Sequence, residues 1–267
     1  MLQTELLPRL ELALAAAEEA GAITLEFFRR GNYQVELKPD QTPVTVADRK
    51  AEQRLRERIE GRFKSDAILG EELPSRDGTS GFRWILDPID GTKSFVSGVP
   101  LYGTLIGVEF DGQSVIGVIN LPALGESVYA AAGQGAWCAR DGMETRQARV
   151  SDKTSLADAL FCTSELAAYD GPGRRPALAQ LESACRLART WGDCYGYVLV
   201  ATGRAELMLD PVVNLWDCAA IQPILEEAGG TFTDWQGHRT MHAGEAVATN
   251  GHVLDQVLAI TRAYPRP

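Results

Sequence analysis

The chain has no C-x-x-C pair, no glycine-rich phosphate loop ending in Gly-Lys-Ser/Thr, and no cysteine followed six positions later by arginine. These absences exclude a thioredoxin-like redox motif, a P-loop nucleotide site and a cysteine-nucleophile phosphatase loop. There are only three histidines, His238, His242 and His252, all near the C-terminal end. They form no acid-phosphatase-like cluster and read as surface or loop residues. No apolar run approaches the roughly 18 residues of a membrane span. The N-terminal stretch carries acids early and lacks a basic segment followed by an apolar core, so no signal peptide is expected. Lys and Arg number 26 against 36 Asp and Glu, a net charge of -10. So acidic a chain repels polyphosphate backbones, which argues against a general nucleic-acid binder. A small anionic substrate remains open if bound metal supplies local positive charge. The five cysteines, Cys138, Cys162, Cys185, Cys194 and Cys218, are odd in number and scattered. They are expected to be reduced, mostly buried thiols of a cytoplasmic protein.

The 267 residues, 45% of them hydrophobic, suffice for one large domain or two intimately packed halves. Leu7, Leu10, Leu14, Ala17, Gly21, Leu25 and Phe28 step by three or four and predict a first helix. A polar loop is expected at 38–42. A second helix begins near Thr45 with Ala47, Ala51, Leu55 and Ile59 on one face. Trp84, Ile85 and Leu86 form a short apolar run that stops at Asp87. Residues 102–110 and 114–120 flank the hairpin signal Asp111-Gly112. Further strands at 126–132 and 135–139 complete an antiparallel meander. Beyond residue 150, strands at 160–163, 205–209 and 246–249 alternate with helices at 176–187, 194–202, 215–228 and 253–261. The pattern indicates a layered α/β (α+β) architecture, divided into halves 1–150 and 151–267.

The chemistry concentrates in Asp87-Pro88-Ile89-Asp90-Gly91-Thr92. Pro88 removes a donor and biases Asp87 away from the helical conformation, so the chain is expected to turn out of the sheet here. Two carboxylates three residues apart can then converge, and N–H groups around Gly91 and Thr92 can face an anion. Hard oxygen ligands of this kind suit magnesium. Aspartates after a strand also cap turns without any metal. Glu71, in Gly70-Glu71-Glu72, follows another apolar strand end. Asp217 follows Trp216 at a helix start, where a first-turn acid favours the helix dipole. Asp48 reads equally as the partner of Thr45 in a capping box.

Taken together, Val44-Thr45-x-x-Asp48, Gly70-Glu71-Glu72, Asp87-Pro88-Ile89-Asp90-Gly91-Thr92 and Trp216-Asp217-x-Ala219-Ala220 resemble, in order and spacing, the motifs of the inositol monophosphatase superfamily. The resemblance covers nearly the whole chain. It implies an alternating stack of helices and sheets, usually a homodimer, and two or three magnesium ions per site. By matching position, Glu71, Asp87 and the Ile89 carbonyl would hold one ion. Asp87, Asp90 and Asp217 would hold a second, with a weaker third near Glu71. Asp48, Thr92 and Glu71 would form the catalytic set, in which Thr92 with Asp48 orients and deprotonates the attacking water. Gly91 and Thr92 would steady the phosphate. The implied reaction is in-line attack of water on a phosphate monoester, with no covalent phosphoenzyme.

Substrate choice is carried by fewer residues, because one fold serves many substrates. Lys93 and Ser94 follow the Asp-Gly-Thr turn, and many inositol monophosphatases carry asparagine where Ser94 stands. The stretches 93–108, 189–197 and 228–235 resemble those of histidinol-phosphate phosphatases within the superfamily. Histidinol phosphate carries an ammonium and an imidazole, so carboxylates at Asp193 and Asp210 can pair with it. Asp193 can equally cap the helix that follows, and Asp210 can shape the turn before Pro211. Trp191 can wall an imidazole or simply pack. Inositol monophosphate or a broad range of sugar phosphates is the alternative substrate class. A structural calcium site without catalysis, and a bisphosphate phosphatase using Lys93, Arg174, Arg175 and Arg189, are the remaining readings.

Overall fold

The computed structural model describes residues 2–31, 34–37, 43–171 and 173–265. The loop expected at 38–42 lies outside the described residues. The N-terminal part comprises α1 (Leu2–Arg30), the ribbon of β1 (Val35–Leu37) with β2 (Pro43–Thr45), and α2 (Val46–Arg62). Leucines and alanines together form the buried side of α1, Leu12 among them. Leu6, Ala13, Ala16, Ala17 and Ala20 are inside, whereas Leu7 is exposed. The buried stripe is therefore rotated from the expected one, which keeps Ala17 and Gly21 inside but leaves Leu10 and Leu14 only partly buried. On α2 the expected face holds: Ala47, Ala51, Leu55 and Ile59 are all fully buried.

A seven-stranded sheet follows in chain order: β3 (Ala67–Gly70), β4 (Phe82–Asp90), β5 (Gly103–Phe110), β6 (Gln113–Leu121), β7 (Glu126–Ala131), β8 (Ala136–Arg140) and β9 (Arg146–Gln147). The strands from β4 onward form the expected antiparallel meander, and β3 joins β4 in parallel. The short helix α3 (Thr92–Val96) lies between β4 and β5. At the β5–β6 hairpin, Asp111 and Gly112 both have positive φ, 47° and 82°, as a two-residue primed turn requires. The remainder comprises β10 (Leu160–Cys162), α4 (Arg174–Ala184), β11 (Leu187–Arg189), α5 (Asp193–Ala201), β12 (Leu207–Asp210), α6 (Leu215–Cys218), α7 (Ile221–Glu227), β13 (Thr231–Thr233), β14 (Ala246–Thr249) and α8 (Leu254–Thr261). Its five strands form a second, mixed sheet in the order β11-β10-β12-β14-β13.

Alternation along the strands stacks these elements into layers. Trp84, Leu86, Ile106, Val108, Ile116 and Val118 pack with α1 and α2, while Ile85, Leu105, Ile119 and Leu121 point the other way, onto α5 and α7. In the second sheet Cys162, Met208, Ala246 and Ala248 face that same middle layer. Phe161, Leu207, Leu209 and Val247 face α4 and α8. The result is helix, sheet, helix, sheet, helix, with one core shared by both sheets. Four of the five cysteines are buried, Cys185 is partly so, and all are free.

The structure differs from the sequence reading in several elements beyond residue 150. The helix expected at 176–187 ends at Ala184, and Leu187 begins β11, paired with Leu160. The strand β13, absent from the reading, pairs with β14. The single helix expected at 215–228 is two. Pro223 has no N–H to give the Ala219 carbonyl four residues back, and the Ser114 hydroxyl donates to that carbonyl instead, at 2.6 Å. This junction lies directly on the first sheet. A Cβ at Gly117 would sit 1.9 Å from the Ala220 carbonyl oxygen, and one at Gly107 2.6 Å from the Ala219 Cβ. Gly117→Ala is therefore expected to cost about 1–3 kcal/mol by overpacking. Denaturant unfolding checks this, and an unchanged midpoint would show that the close approach is not needed.

Candidate metal centre and cleft

The two sheets and the middle helices meet at a cleft of about 510 Å³. Its lining comes from distant parts of the chain: Glu71 after β3, residues 87–94 around the end of β4, Ser164 and Glu165 after β10, Asp193 on α5, Asp210 on β12 and Asp217 on α6. β4 does not stop at Asp87 as expected. It runs through Pro88 to Asp90 with a bulge, because Asp87 pairs with Leu105 and Asp90 with Gly103, three steps against two. The bulge accommodates the proline and turns both aspartates into the cleft.

Each acid is held by a local hydrogen bond. Asp87 Oδ1 accepts the Ile89 N–H at 3.0 Å. Asp90 Oδ2 accepts the Cys194 N–H at the start of α5. Asp217 Oδ2 accepts the Asn214 N–H at 2.7 Å in a capping box, so this residue caps its helix and also faces the cleft. Carboxylate oxygens of Asp87, Asp90 and Asp217 lie within 4.8 Å of one another. Glu71 is close enough to hydrogen-bond Asp87.

The electrostatics of this cluster are unfavourable without a cation. Burial, then the charges of Glu71, Asp90 and Asp217, push the Asp87 carboxyl well above the usual range. Asp90 is raised well above it by burial and by Asp193 and Asp217. Asp217 is pushed up to about 7, chiefly by burial. The donor set suits a hard divalent cation, since converging carboxylates provide oxygen ligands and the opposite charge relieves their repulsion. Soft-metal ligation fits less well. The neighbouring Cys194 and Cys218 thiols are buried and held protonated, well above their usual range.

The remaining expected site residues divide into two groups. The Ile89 carbonyl accepts the Thr92 hydroxyl at 3.0 Å. Gly91, with φ 82°, starts α3, which is anchored beneath by Phe95 edge-on to Tyr102 at 4.9 Å. Lys93 and Ser94 also line the cleft. Asp48, in contrast, does not join the cleft lining among the described residues. Its Oδ2 accepts the Thr45 N–H at 2.8 Å and the Thr45 hydroxyl at 2.6 Å, which confirms the capping box. Its Oδ1 is buried without a partner, and burial pushes this carboxyl up to about 6. Thr92 thus bonds Ile89 and is not hydrogen-bonded to Asp48.

Elsewhere in the same cleft, Asp210 Oδ2 accepts the Tyr197 hydroxyl at 2.9 Å, and Oδ1 accepts the Ser164 N–H at 3.1 Å. Asp193 does not supply the N-cap, which is Gly192. Asp193 has φ 51°, a strained value for a non-glycine residue, and its N–H donates to Ser164 Oγ at 2.8 Å. Burial and the Asp210 charge push its carboxyl up to about 6. Trp191 is exposed, stands near Arg189 and is absent from the described cleft lining. Ser164 and Glu165 escaped the sequence reading. Their one signal is that they end a buried strand, the same position that drew attention to Glu71 and Asp87.

Comparison with known proteins identifies the family and the fold. The model of the inositol monophosphatase family matches residues 5–265. A histidinol-phosphatase of Chlorobaculum parvum is 43% identical over 251 residues, covering 94% of this chain and 95% of its own. A histidinol-phosphatase of Mycobacterium tuberculosis is 39% identical, covering 93% and 96%. The solved structure of a Thermotoga maritima IMPase superposes with a TM-score of 0.85 at 28% identity, covering 96% of this chain and 98% of that one.

Ionised carboxyls bind a cation and protonated ones do not, so cation binding competes with protons here. The raised pKa values also mean that the folded, chelator-treated protein holds more protons than the unfolded chain, so these groups cost stability as pH rises. For Asp217 that loss runs from the ordinary 3.8 to about 7. The stabilisation gained by adding magnesium chloride to chelator-treated protein is therefore expected to grow across this window. Denaturant unfolding at a series of pH values measures it, and a gain independent of pH would contradict the electrostatic account.

Proposed function

The chain belongs to the inositol monophosphatase family, and we propose that it is a magnesium-dependent phosphomonoesterase that hydrolyses histidinol phosphate to histidinol and phosphate. The observation that carries this reading is that one cleft holds two sets of acids. The first is Asp87, Asp90 and Asp217 beside Glu71, and the second is Asp193 with Asp210, which lie near enough to raise the carboxyls of the first. A dianionic phosphate needs cations at the first. An ammonium or imidazolium gains charge-assisted hydrogen bonds at the second, which a neutral polyol gains less from. The two relatives named histidinol-phosphatase support the same choice. A polyol phosphate such as inositol 1-phosphate is the second reading, favoured by the Thermotoga maritima neighbour.

In this proposal Glu71, Asp87, the Ile89 carbonyl, Asp90 and Asp217 hold two magnesium ions, with a weaker third near Glu71. When bound, such ions neutralise phosphate charge and favour ionisation of water and departure of an alkoxide, each by several kcal/mol. The residues of the chain hold and orient. Gly91 and Thr92 direct their N–H groups to the phosphate. Asp48 takes the proton of the attacking water, which requires its unpartnered Oδ1, buried and outside the cleft lining in this structure, to open onto the cleft. A role for Thr92 beside Asp48 requires its hydroxyl to leave the Ile89 carbonyl. Lys93, Ser94, Asp193 and Asp210 surround the organic group. The reading includes a homodimer, as the family resemblance implies, in the cytoplasm, as the scattered free thiols suggest. Among the described residues no helix is long and apolar enough to cross a membrane.

Phosphate release from histidinol phosphate, inositol 1-phosphate and a sugar bisphosphate tests the proposal. Turnover is expected to be fastest on the first and abolished by chelation. Asp90→Asn is expected to lower it about 10³-fold, the equivalent of several kcal/mol of lost transition-state stabilisation. Comparable rates on all three esters would remove the substrate assignment. Asp90→Asn keeping most activity at saturating magnesium would remove the metal-site assignment.

A further inference from the structure

Across the cleft, Lys93 Nζ lies 2.5 Å from Glu165 Oε2. Both residues line the cleft, and both side chains are about half exposed, at 59% and 51%. Lys93 directly follows Thr92 on α3. Glu165 directly follows Ser164, whose N–H and hydroxyl contact Asp210 and the Asp193 backbone. The lysine charge is also near enough to Asp193 to pull that carboxyl down against the effect of burial. The Lys93 ammonium therefore occupies a place among carboxylates of the cleft. It is a primary ammonium on a flexible stem, the same chemical group that histidinol phosphate presents beside its imidazole.

We infer that the Lys93 ammonium is a displaceable placeholder for the substrate ammonium, and that Glu165 is a specificity residue that exchanges one for the other. The inference rests on the histidinol-phosphate reading and deepens it. On binding, Glu165 passes from Lys93 to the substrate amine, and Lys93 is released to pair with the phosphate. A zwitterionic ester satisfies both halves of the broken pair. A neutral polyol phosphate satisfies only Lys93 and strands Glu165. The exchange is cheap because an exposed ion pair changes an equilibrium by no more than about fivefold.

Histidinol itself, which has the ammonium and no phosphate, isolates the competing step. Its binding to the magnesium-loaded protein is measured calorimetrically. Removing the competitor with Lys93→Met is expected to tighten binding about two- to fivefold, the scale of an exposed pair. Glu165→Gln is expected to weaken it, and to raise KM for histidinol phosphate more than for inositol 1-phosphate. A structural role for the pair would move both esters alike, and that result would overturn the inference. So would unchanged or weaker histidinol binding by Lys93→Met, or no histidinol binding by any of the three proteins while histidinol phosphate is still hydrolysed. A wild-type protein that does not hydrolyse histidinol phosphate instead overturns the substrate reading on which the inference stands. Both side chains are at the surface, so the variants are expected to fold, and circular dichroism checks that.

Discussion

Carboxylates brought together out of water repel one another, and the organisation of this molecule around its cleft follows from holding them there. Asp87, Asp90 and Asp217 converge within 4.8 Å, with Glu71 alongside. Their carboxyls resist ionisation because burial and like charge both oppose it. Such an arrangement persists only when the surrounding fold supplies the restraint, and a divalent cation converts the repulsion into binding energy.

The restraint comes from backbone groups of elements far apart in sequence. The bulge in β4 sets Asp87 and Asp90, and the first N–H groups around α5 and α6 hold Asp90 and Asp217. The α6–α7 junction presses onto Gly107 and Gly117 of the first sheet, which fixes the distance from Asp217 to β4. The middle helical layer thus serves as a spacer between the sheets and as one wall of the cleft. The second set of acids is held differently. One residue, Ser164, touches both Asp193 and Asp210, and its neighbour Glu165 meets Lys93. Elements that place the acids in the cleft also place the ion pair there.

Much of this was legible in the residues themselves. The Asp87–Thr92 motif, Glu71 and Asp217 stood out as acids at the ends of apolar segments, and the meander was readable from Asp111-Gly112 and the runs around it. Legibility failed where tertiary contacts override local pattern. The buried side of α1 combines Leu6 and Leu12 with alanines, so Leu10 and Leu14 of the expected stripe are only partly buried and Leu7 is exposed. The split of the helix at 215–228 depends on Pro223 together with the Ser114 hydroxyl, which lies over a hundred residues away. β11 and β13 are three-residue strands, too short for periodicity to show, and exist because β10 and β14 lie beside them. Asp193 reads as a substrate contact or a helix cap, and the folded chain shows Gly192 as the cap and Asp193 at positive φ. Ser164 and Glu165 carried no motif.

The central claim is that these four acids exist to bind divalent ions at one place. Anomalous diffraction from crystals grown with manganese, which takes magnesium-type oxygen sites, tests it most directly. The account predicts anomalous peaks between Glu71, Asp87, Asp90 and Asp217, each within ligand distance of at least two of these carboxylates. Manganese found only elsewhere, with the cluster closed on itself by shared protons, would contradict it.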